Sequence, residues 1–417
     1  MRKLIFSTLF AVAVLGASAQ SIDDIKDNIG KQQWDKAKEQ IDKYLANEKN
    51  AKKADGWYYK GAIYNEVAKS EKYKALLGST DGRMEAFNAL KKYVELEPKN
   101  TLGILEQNVR FFDIYNGYFD MAATGFNAKN YDQAFENFKN AMVVEEYVAS
   151  KGYTYNNFSF PKLDTSLILN TAISAGQAKK TDEAMVYYQR LADAKIAGPN
   201  YLEIYQQIVQ HYNEKGDKAT RDKYLAIGRE LYPEDDYWTE IELRDAGTDK
   251  KALFAKYDEL LDKYPSKYVL HYNYAAELFN YLFTQEKKPA DYNEQYAKIQ
   301  DVLKKAIAVK ATPEANLLLA RTVYNGVYDL EEASSAIKGT KPDDVKKKNE
   351  LKTKIAAQYE QMLPYATAAY DIFDGKSTLK ASEKGNFKVA ADLITRYWES
   401  KNNKEKIKFY QDKMKEL

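Results

Sequence analysis

The 417-residue sequence contains no cysteine and two histidines. The lack of cysteine excludes disulfide bonds, thiol chemistry and a lipid-anchored N-terminus, which requires a cysteine directly after a signal sequence. The two histidines, His211 and His271, are 60 positions apart, so neither a zinc site nor a Ser-His-Asp arrangement is expected. The sequence also lacks a G-x-G-x-x-G or P-loop pattern for phosphate binding. We therefore expect no catalytic residue, no metal and no cofactor.

Positive and negative charges are nearly balanced. The sequence has 63 Lys and Arg against 61 Asp and Glu, which gives a formal net charge of +2. Binding to a nucleic acid backbone depends on surplus cationic side chains, so this balance argues against nucleic acid as a partner. The lysine-rich stretches near the C-terminus are interspersed with acids, which is typical of solvated helix faces.

Long apolar runs are scarce, and the one at the N-terminus has the features of an export signal. Two basic residues precede an apolar run over 4–15, and an A-x-A cleavage motif ends at Ala19. The run is shorter than the roughly 20 apolar residues of a membrane-spanning helix. We expect residues 1–19 to be a signal peptide cleaved after Ala19, and we expect no transmembrane segment. The mature protein is then periplasmic or envelope-associated in a Gram-negative bacterium.

The sequence is rich in helical periodicity, and tyrosine is unusually frequent, with 35 residues. No Val/Ile/Thr alternation predicts a sheet. Four alanines begin similar motifs of apolar and aromatic residues, and the steps between them are 49, 48 and 50 residues: Ala37, Ala86, Ala134 and Ala184. Self-similarity at such a period indicates stacked helix pairs in which each alanine marks a close approach between paired helices.

The most complete motif has tryptophan, glycine, tyrosine, alanine and proline at defined positions: Trp57, Gly61, Tyr64, Ala86, Leu90, Tyr93 and Pro98. It resembles the tetratricopeptide repeat, including the family's interval of twelve residues from the alanine to the proline. The resemblance implies an all-α fold, an α-solenoid of antiparallel helix pairs. Repeats of this family span about 34 residues. These units are therefore enlarged, through longer helices or through loops such as Lys69–Gly82 and Ser150–Pro161.

The resemblance also suggests a division of the chain. After the signal peptide we expect a repeat array over 20–340, clearest over 21–233, and a helical C-terminal cap over 341–417. In the fifth unit Arg221 occupies the position of the usual alanine. Later helices are predicted at Tyr272–Phe283, Tyr292–Val309, Asn349–Phe373 (interrupted by Pro364), Phe387–Trp398 and Lys404–Leu417, and Thr312 is predicted to cap a helix that starts at Pro313.

In the tetratricopeptide family the first helix of each pair lines a concave groove. Positions beside the motif residues then form the candidate binding site: Tyr58, Asn65, Phe119, Phe126, Asn127, Gln206, Gln210 and Asn213. Family members that clamp a C-terminal carboxylate use Lys, Arg and Asn, whereas these positions are amide and aromatic. Such a lining suits the backbone of an extended peptide, and it also suits sugar rings stacked on Tyr or Phe.

The expected function is therefore that of a non-catalytic scaffold or adaptor that binds a protein or peptide, of a kind typical of Bacteroidota-like envelopes. The alternative is glycan binding, by analogy with the repeat-containing SusD-like starch-binding family. Members of that family carry a lipid anchor, for which this sequence lacks the cysteine. An enzyme is the third alternative. Adjacent acids such as Asp235-Asp236 do not face each other as paired catalytic carboxylates must, and they suit the first turn of a helix.

Overall fold

The computed structural model describes residues 21–416, so the predicted signal peptide lies outside the described residues. Two compact units divide the chain, unit 1 over Met1–Glu234 and unit 2 over Asp235–Leu417. Their described secondary structure is α-helical, apart from a 3₁₀ turn at Lys74–Leu77 and one isolated antiparallel bridge between Tyr155 and Phe158. The predicted all-α fold of helix pairs is confirmed. None of the described helices combines the length and apolar character that crossing a bilayer requires.

Unit 1 contains twelve α-helices in its described part: α1 (Ile22–Gly30), α2 (Trp34–Leu45), α3 (Glu48–Ala51), α4 (Ala54–Lys69), α5 (Gly82–Leu96), α6 (Thr101–Leu105), α7 (Val109–Asn127), α8 (Tyr131–Lys151), α9 (Thr165–Gln177), α10 (Thr181–Asp193), α11 (Leu202–Glu214) and α12 (Lys218–Leu231). Unit 2 contains eight up to residue 416: α13 (Tyr237–Asp245), α14 (Lys250–Lys263), α15 (Tyr268–Phe283), α16 (Tyr292–Val309), α17 (Pro313–Ala336), α18 (Pro342–Asp374), α19 (Ala381–Ser400) and α20 (Lys404–Glu416).

Helices α4 and α5 form the pair predicted from the most complete motif. A Cβ atom placed on Gly61 would lie 2.6 Å from the Leu90 side chain and 3.2 Å from the carbonyl oxygen of Ala86. One turn before Gly61, the ring of Tyr58 lies 5.0 Å from that of Tyr93, a residue further along α5. The helices are therefore antiparallel, and glycine permits their close approach.

A similar close approach recurs in the next pair, and a looser contact of the same kind occurs in the pair after it. A Cβ on Gly125 of α7 would lie 3.1 Å from the backbone nitrogen of Ala134 in α8, and one on Gly176 of α9 would lie 3.9 Å from the Cβ of Ala184 in α10. Both alanines are buried. Each of these three pairs thus places a glycine of its first helix opposite the alanine of its second, which explains why a small residue occupies that position.

The pair α11–α12 departs from this contact, as the sequence indicates. Arg221 is buried, with 4% of its surface exposed. Its Nη1 donates to Oδ1 of Asn213 (2.9 Å), and its Nη2 donates to Oδ1 of Asp222 (2.7 Å). A buried guanidinium needs such partners because its desolvation is otherwise costly. A polar contact thus replaces the small-residue contact in this pair.

The enlargement of the repeats comes from extra elements within and between the helix pairs and from one long helix. Helix α3 and the 3₁₀ turn Lys74–Leu77 lie in the first long step, and α6 lies in the second. The third step contains the 21-residue helix α8 and the connection over 152–164. The loops predicted at Lys69–Gly82 and Ser150–Pro161 fall in two of these segments.

Unit 2 has one continuous core drawn from α14 to α19, including Tyr274, Leu303, Val323, Met362 and Ile394. Residues on both sides of position 340 contribute to it, so the region predicted as a cap shares the core of the helices before it. Within this unit α16 has its predicted bounds, α15 starts four residues before its predicted start, and α18 runs through its internal proline from Pro342 to Asp374.

The predicted start of α17 is confirmed. Oγ1 of Thr312 accepts a hydrogen bond from the backbone nitrogen of Ala315 at 3.1 Å, and Pro313 occupies the first turn. The acid pair at 235–236 likewise precedes a helix, because Asp236 is the residue before α13.

Candidate functional site

A groove of about 730 Å³ lies between α9, α10 and the start of α11 in unit 1. Its apolar lining comes from both members of one helix pair and from the first helix of the next: Leu169, Ile173, Met185 and Ile204. Its exposed polar lining consists of three amides, one carboxylate and one hydroxyl: Gln177, Asn200, Gln207, Glu203 and Thr181. We call this surface the α9–α11 groove.

The amides of the groove are free to bind a ligand. Gln177 and Gln207 are exposed, and their side chains have no hydrogen-bond partner among residues 21–416. Each amide offers both a donor and an acceptor, as a peptide backbone does. No Lys or Arg lines the groove among the described residues, so a clamp for a C-terminal carboxylate is not formed there.

The connection over 194–201 forms one rim of the groove and is held by tyrosines. The hydroxyl of Tyr205 donates to the carbonyl oxygen of Ile196 at 2.7 Å. The hydroxyl of Tyr232 accepts from the nitrogen of Gly198 at 3.0 Å and donates to its carbonyl oxygen at 2.9 Å. Gly198 has a φ of 140°, which favours glycine. The position of Asn200 is thus fixed by Tyr205 of α11 and by Tyr232, the residue that follows α12.

Two of the predicted binding residues, Tyr58 and Asn65, are buried rather than exposed. Their exposed fractions are 3% and 4%. The hydroxyl of Tyr58 donates to the carbonyl oxygen of Leu102 at 3.2 Å, and burial raises its pKa. Nδ2 of Asn65 donates to Asp113 at 2.6 Å, while its Oδ1 accepts from Arg83 at 3.1 Å. Both side chains therefore connect helices of unit 1. They make structural contacts instead of the ligand contacts that the sequence predicts.

Phe119, Phe126 and Asn127 lie together on α7. The ring of Phe119 is half-buried, 5.6 Å from that of Phe138, and the ring of Phe126 lies 5.4 Å from that of Tyr131. Asn127 is exposed at the end of the helix. These three residues do not line the α9–α11 groove.

Gln206, Gln210 and Asn213 lie along one stripe of α11, beside the stripe that lines the groove. Gln210 is exposed, and its Nε2 donates to Glu214 at 2.9 Å. Oδ1 of Asn213 accepts the hydrogen bond from Arg221 described above. These three predicted positions therefore lie on the same helix as Glu203 and Gln207, which line the groove.

The two histidines have packing contacts. Nε2 of His271 lies 2.8 Å from the carbonyl oxygen of Pro265, and the residue is buried. Nε2 of His211 lies 3.4 Å from Oδ1 of Asp182, and burial lowers the His211 pKa. Within residues 21–416 no group of three or more His, Asp or Glu is placed to hold a metal ion.

Unit 2 has a groove of about 790 Å³ between α14, α15 and α16. Its aromatic rings pack against one another: the ring of Phe254 lies 5.7 Å from that of Tyr274 and 5.4 Å from that of Tyr281, and Tyr274 is stacked on Tyr257 at 4.7 Å. Because Phe254 and Tyr274 are also buried, neither offers an open face on which a sugar ring could stack.

No protein-family model matches the sequence, and no curated protein matches it. Similar solved structures include a TPR repeats protein from Bacteroides fragilis, with 15% identity, a TM-score of 0.31 and coverage of 67% of this chain and 99% of that one. Yeast Tom70 has 12% identity, a TM-score of 0.20 and coverage of 92% and 95%. The human IFIT1 dimer with m7Gppp-AAAA has 14% identity, a TM-score of 0.22 and coverage of 85% and 90%. At these scores the tetratricopeptide-like fold rests on the helix pairs and buried alanines of the chain itself.

Proposed function

We propose that this chain is a non-catalytic binding protein that takes an extended peptide segment of a protein partner in the α9–α11 groove. The observation that carries the proposal is an apolar floor bordered by free amides. The floor can bury partner side chains, and the amides can pair with a peptide backbone that would otherwise lose its hydrogen bonds to water.

The charges of the groove restrict the partner segment. Glu203 is the charged residue among those that line it, so the groove favours a neutral or basic segment over an acidic one. The tyrosine-held rim over 194–201 keeps the groove open without a ligand. A preformed groove reduces the ordering cost of binding.

The groove can be filled without disturbing the helices around it. Gly176 is exposed, and the atom nearest to a Cβ placed there is the Ala184 Cβ at 3.9 Å. We expect Gly176→Trp to fold and to reduce capture of the native partner from an envelope extract at least tenfold. Gly385→Trp is the matched control, because this glycine lies on an exposed face of α19 with no atom within 4 Å of its Cβ.

Equal capture by both variants would place the binding surface outside the groove. If the protein also binds sugars on a glycan array, and Gly176→Trp abolishes that binding while capture of the protein partner is unchanged, the groove is a glycan site. Capture is measured by quantitative mass spectrometry of material retained by immobilised protein.

We further propose export to the periplasm or envelope, supported by the charged start, the apolar run and the A-x-A motif of residues 1–19. Intact-mass analysis of protein recovered from the periplasm should give a chain that begins at Gln20. Retention of residues 1–19 on protein recovered from the cytoplasm would reject export.

A further inference from the structure

A second cavity of unit 1, of about 490 Å³, is separate from the α9–α11 groove. It lies between α8, the connection over 152–164, the start of α9 and one residue of α10. Its apolar walls are formed by Met142, Ala149, Leu163, Leu167 and Ile168. Its rim carries exposed side chains, Glu146, Ser150 and Lys162 among them. We call it the Glu145 cavity.

A buried carboxylate lines this cavity. Glu145 has 3% of its surface exposed. Its Oε2 atom is buried and has no hydrogen-bond partner in the described part of the chain. A buried acceptor without a partner is costly, and a buried charge without a partner is more costly still. The side chain is therefore suited to a ligand that brings both a donor and a positive charge.

The charged groups around Glu145 do not supply that partner. Asp164, at the start of α9, and Glu146, next in α8, both disfavour its ionisation. Arg190 of α10 acts in the opposite sense but is bonded elsewhere, with Nη2 at 2.7 Å from Glu146 Oε1 and Nη1 at 3.0 Å from Met142 Sδ. Lys162 lies exposed at the rim, and Tyr115 of α7 has a pKa raised by burial and then by Glu145. Burial, followed by Asp164 and Glu146, raises the pKa of Glu145 to about 7.

We propose that the Glu145 cavity binds the alkylammonium side chain of a lysine presented by the protein partner. The apolar walls suit the four-carbon stem of lysine, and the ammonium group would supply the donor and the charge that Oε2 lacks. Asp164 and Glu146 attract a cation, whereas Lys162 and Arg190 of the same lining repel one. The preference for an amine therefore rests on the unpartnered Oε2 of Glu145. The assignment of the amine to a protein partner rests on the proposed function, whereas the preference for an amine rests on the cavity alone.

Binding of the amine requires the ionised form of Glu145. Because the pKa of this carboxyl lies near 7, about a tenth of the molecules carry the charge at pH 6 and about nine tenths at pH 8. Apparent affinity scales with the competent fraction, so it should rise about tenfold between these two values. Binding at pH 6 should also release a proton, which calorimetry detects as a heat that depends on the buffer.

The test uses the mature full-length protein labelled at its methionine methyl groups. Nα-acetyl-lysine N-methylamide should shift the Met142 methyl signal, which is assigned with Met142→Leu. The neutral norleucine analogue has the same stem without the ammonium and should leave that signal in place. Glu145→Gln should abolish the shift at both pH values. Glu136→Gln is the matched control, since this acid is exposed on α8 and does not line the cavity.

A Met142 signal unaffected by the lysine derivative at pH 8, or moved equally in Glu145→Gln, would overturn the amine site. If the derivative binds but Glu145→Gln captures the protein partner as well as Glu136→Gln does, the assignment to a partner lysine is overturned. Failure of the proposed function has a different signature, because it appears as loss of partner capture by the unmodified protein while the Met142 shift persists.

Discussion

Gly61 and Gly125 determine how closely the helices of their pairs approach each other in unit 1. Each faces the recurring alanine of the second helix, at 3.2 Å for a Cβ on Gly61 and 3.1 Å for one on Gly125, and a Cβ on Gly61 would also lie 2.6 Å from the Leu90 side chain. At Gly61 there is no space even for a methyl group, because the Leu90 side chain is too close. Substitution of these glycines therefore tests the packing of each pair separately.

We expect Gly61→Ala to lower the free energy of unfolding by about 1–2 kcal/mol. Alanine favours a helix over glycine by about 1 kcal/mol, but overpacking against Leu90 and Ala86 typically costs about 1–3 kcal/mol. Gly385→Ala, on an open face of α19, should instead raise stability by about 0.5–1 kcal/mol. Urea unfolding of the two variants measures both changes, and a stabilised Gly61→Ala would show that the pair can separate freely.

Glu145 makes stability depend on pH in a direction unusual for a carboxyl. Its folded pKa of about 7 lies above the ordinary value of 4.5, so the folded state holds a proton that the unfolded state has released between these values. The contribution of the protonated Glu145 side chain to the free energy of unfolding is therefore complete below pH 4.5 and is lost as the pH rises through 7. Glu145→Gln should equal the parent protein near pH 4.5 and exceed it at pH 8 by up to about 3 kcal/mol.

Chemical unfolding at several pH values measures this difference, with Glu136→Gln as the control, whose stability should stay within about 1 kcal/mol of the parent protein because its ion pairs with Lys139 and Lys180 are at the surface. A parent protein and a Glu145→Gln variant with equal stability at pH 8 would show that the carboxyl ionises without cost, which is incompatible with an unpartnered buried oxygen.

The connection over 194–201 depends on hydrogen bonds from outside itself. The Tyr232 hydroxyl bonds to both backbone polar groups of Gly198. We expect Tyr232→Phe to cost about 1–2 kcal/mol, because both bonds are lost and the Gly198 N–H loses its partner, whereas the Gly198 carbonyl oxygen still accepts from the nitrogen of Tyr201. Amide exchange at Gly198 should accelerate at least tenfold. Tyr328→Phe, at an exposed tyrosine of α17, should change neither quantity. Unchanged exchange in Tyr232→Phe would mean that the rim is held by other contacts.

Periodicity and turn chemistry predict the helices well but predict the groove only in part. Helical spacing, the alanine motifs and the Thr312-Pro313 cap are local signals, and the structure confirms the helices they indicate. Tyr58 is misplaced because the inserted helix α6 covers it, and Leu102 of that helix accepts its hydroxyl. An insertion of this kind changes which face of a first helix is exposed. Gln207 of the α9–α11 groove lies one helical stripe away from the family positions, so the resemblance does not select it.

At the scale of the whole molecule, units 1 and 2 each have a buried core of their own. The division between Glu234 and Asp235 falls in the short segment between α12 and α13, where few residues separate the two helices. We expect the fragments 20–234 and 235–417 to fold separately, because each retains its own core packing and helix caps. Circular dichroism should show helical spectra with cooperative unfolding for both. A fragment that unfolds without cooperativity would show that its core depends on the other unit.

The segment between α4 and α5 has a practical consequence for engineering. Gly78 lies in it with a φ of 59° and no atom within 4 Å of the position where a Cβ would lie. Doubling the length of a surface connection costs only about 0.6 kcal/mol in chain entropy. An epitope tag or a small fluorescent label can therefore be inserted at this position, which lines neither the α9–α11 groove nor the Glu145 cavity. The added length in this segment thus provides an attachment point for following the protein in living cells.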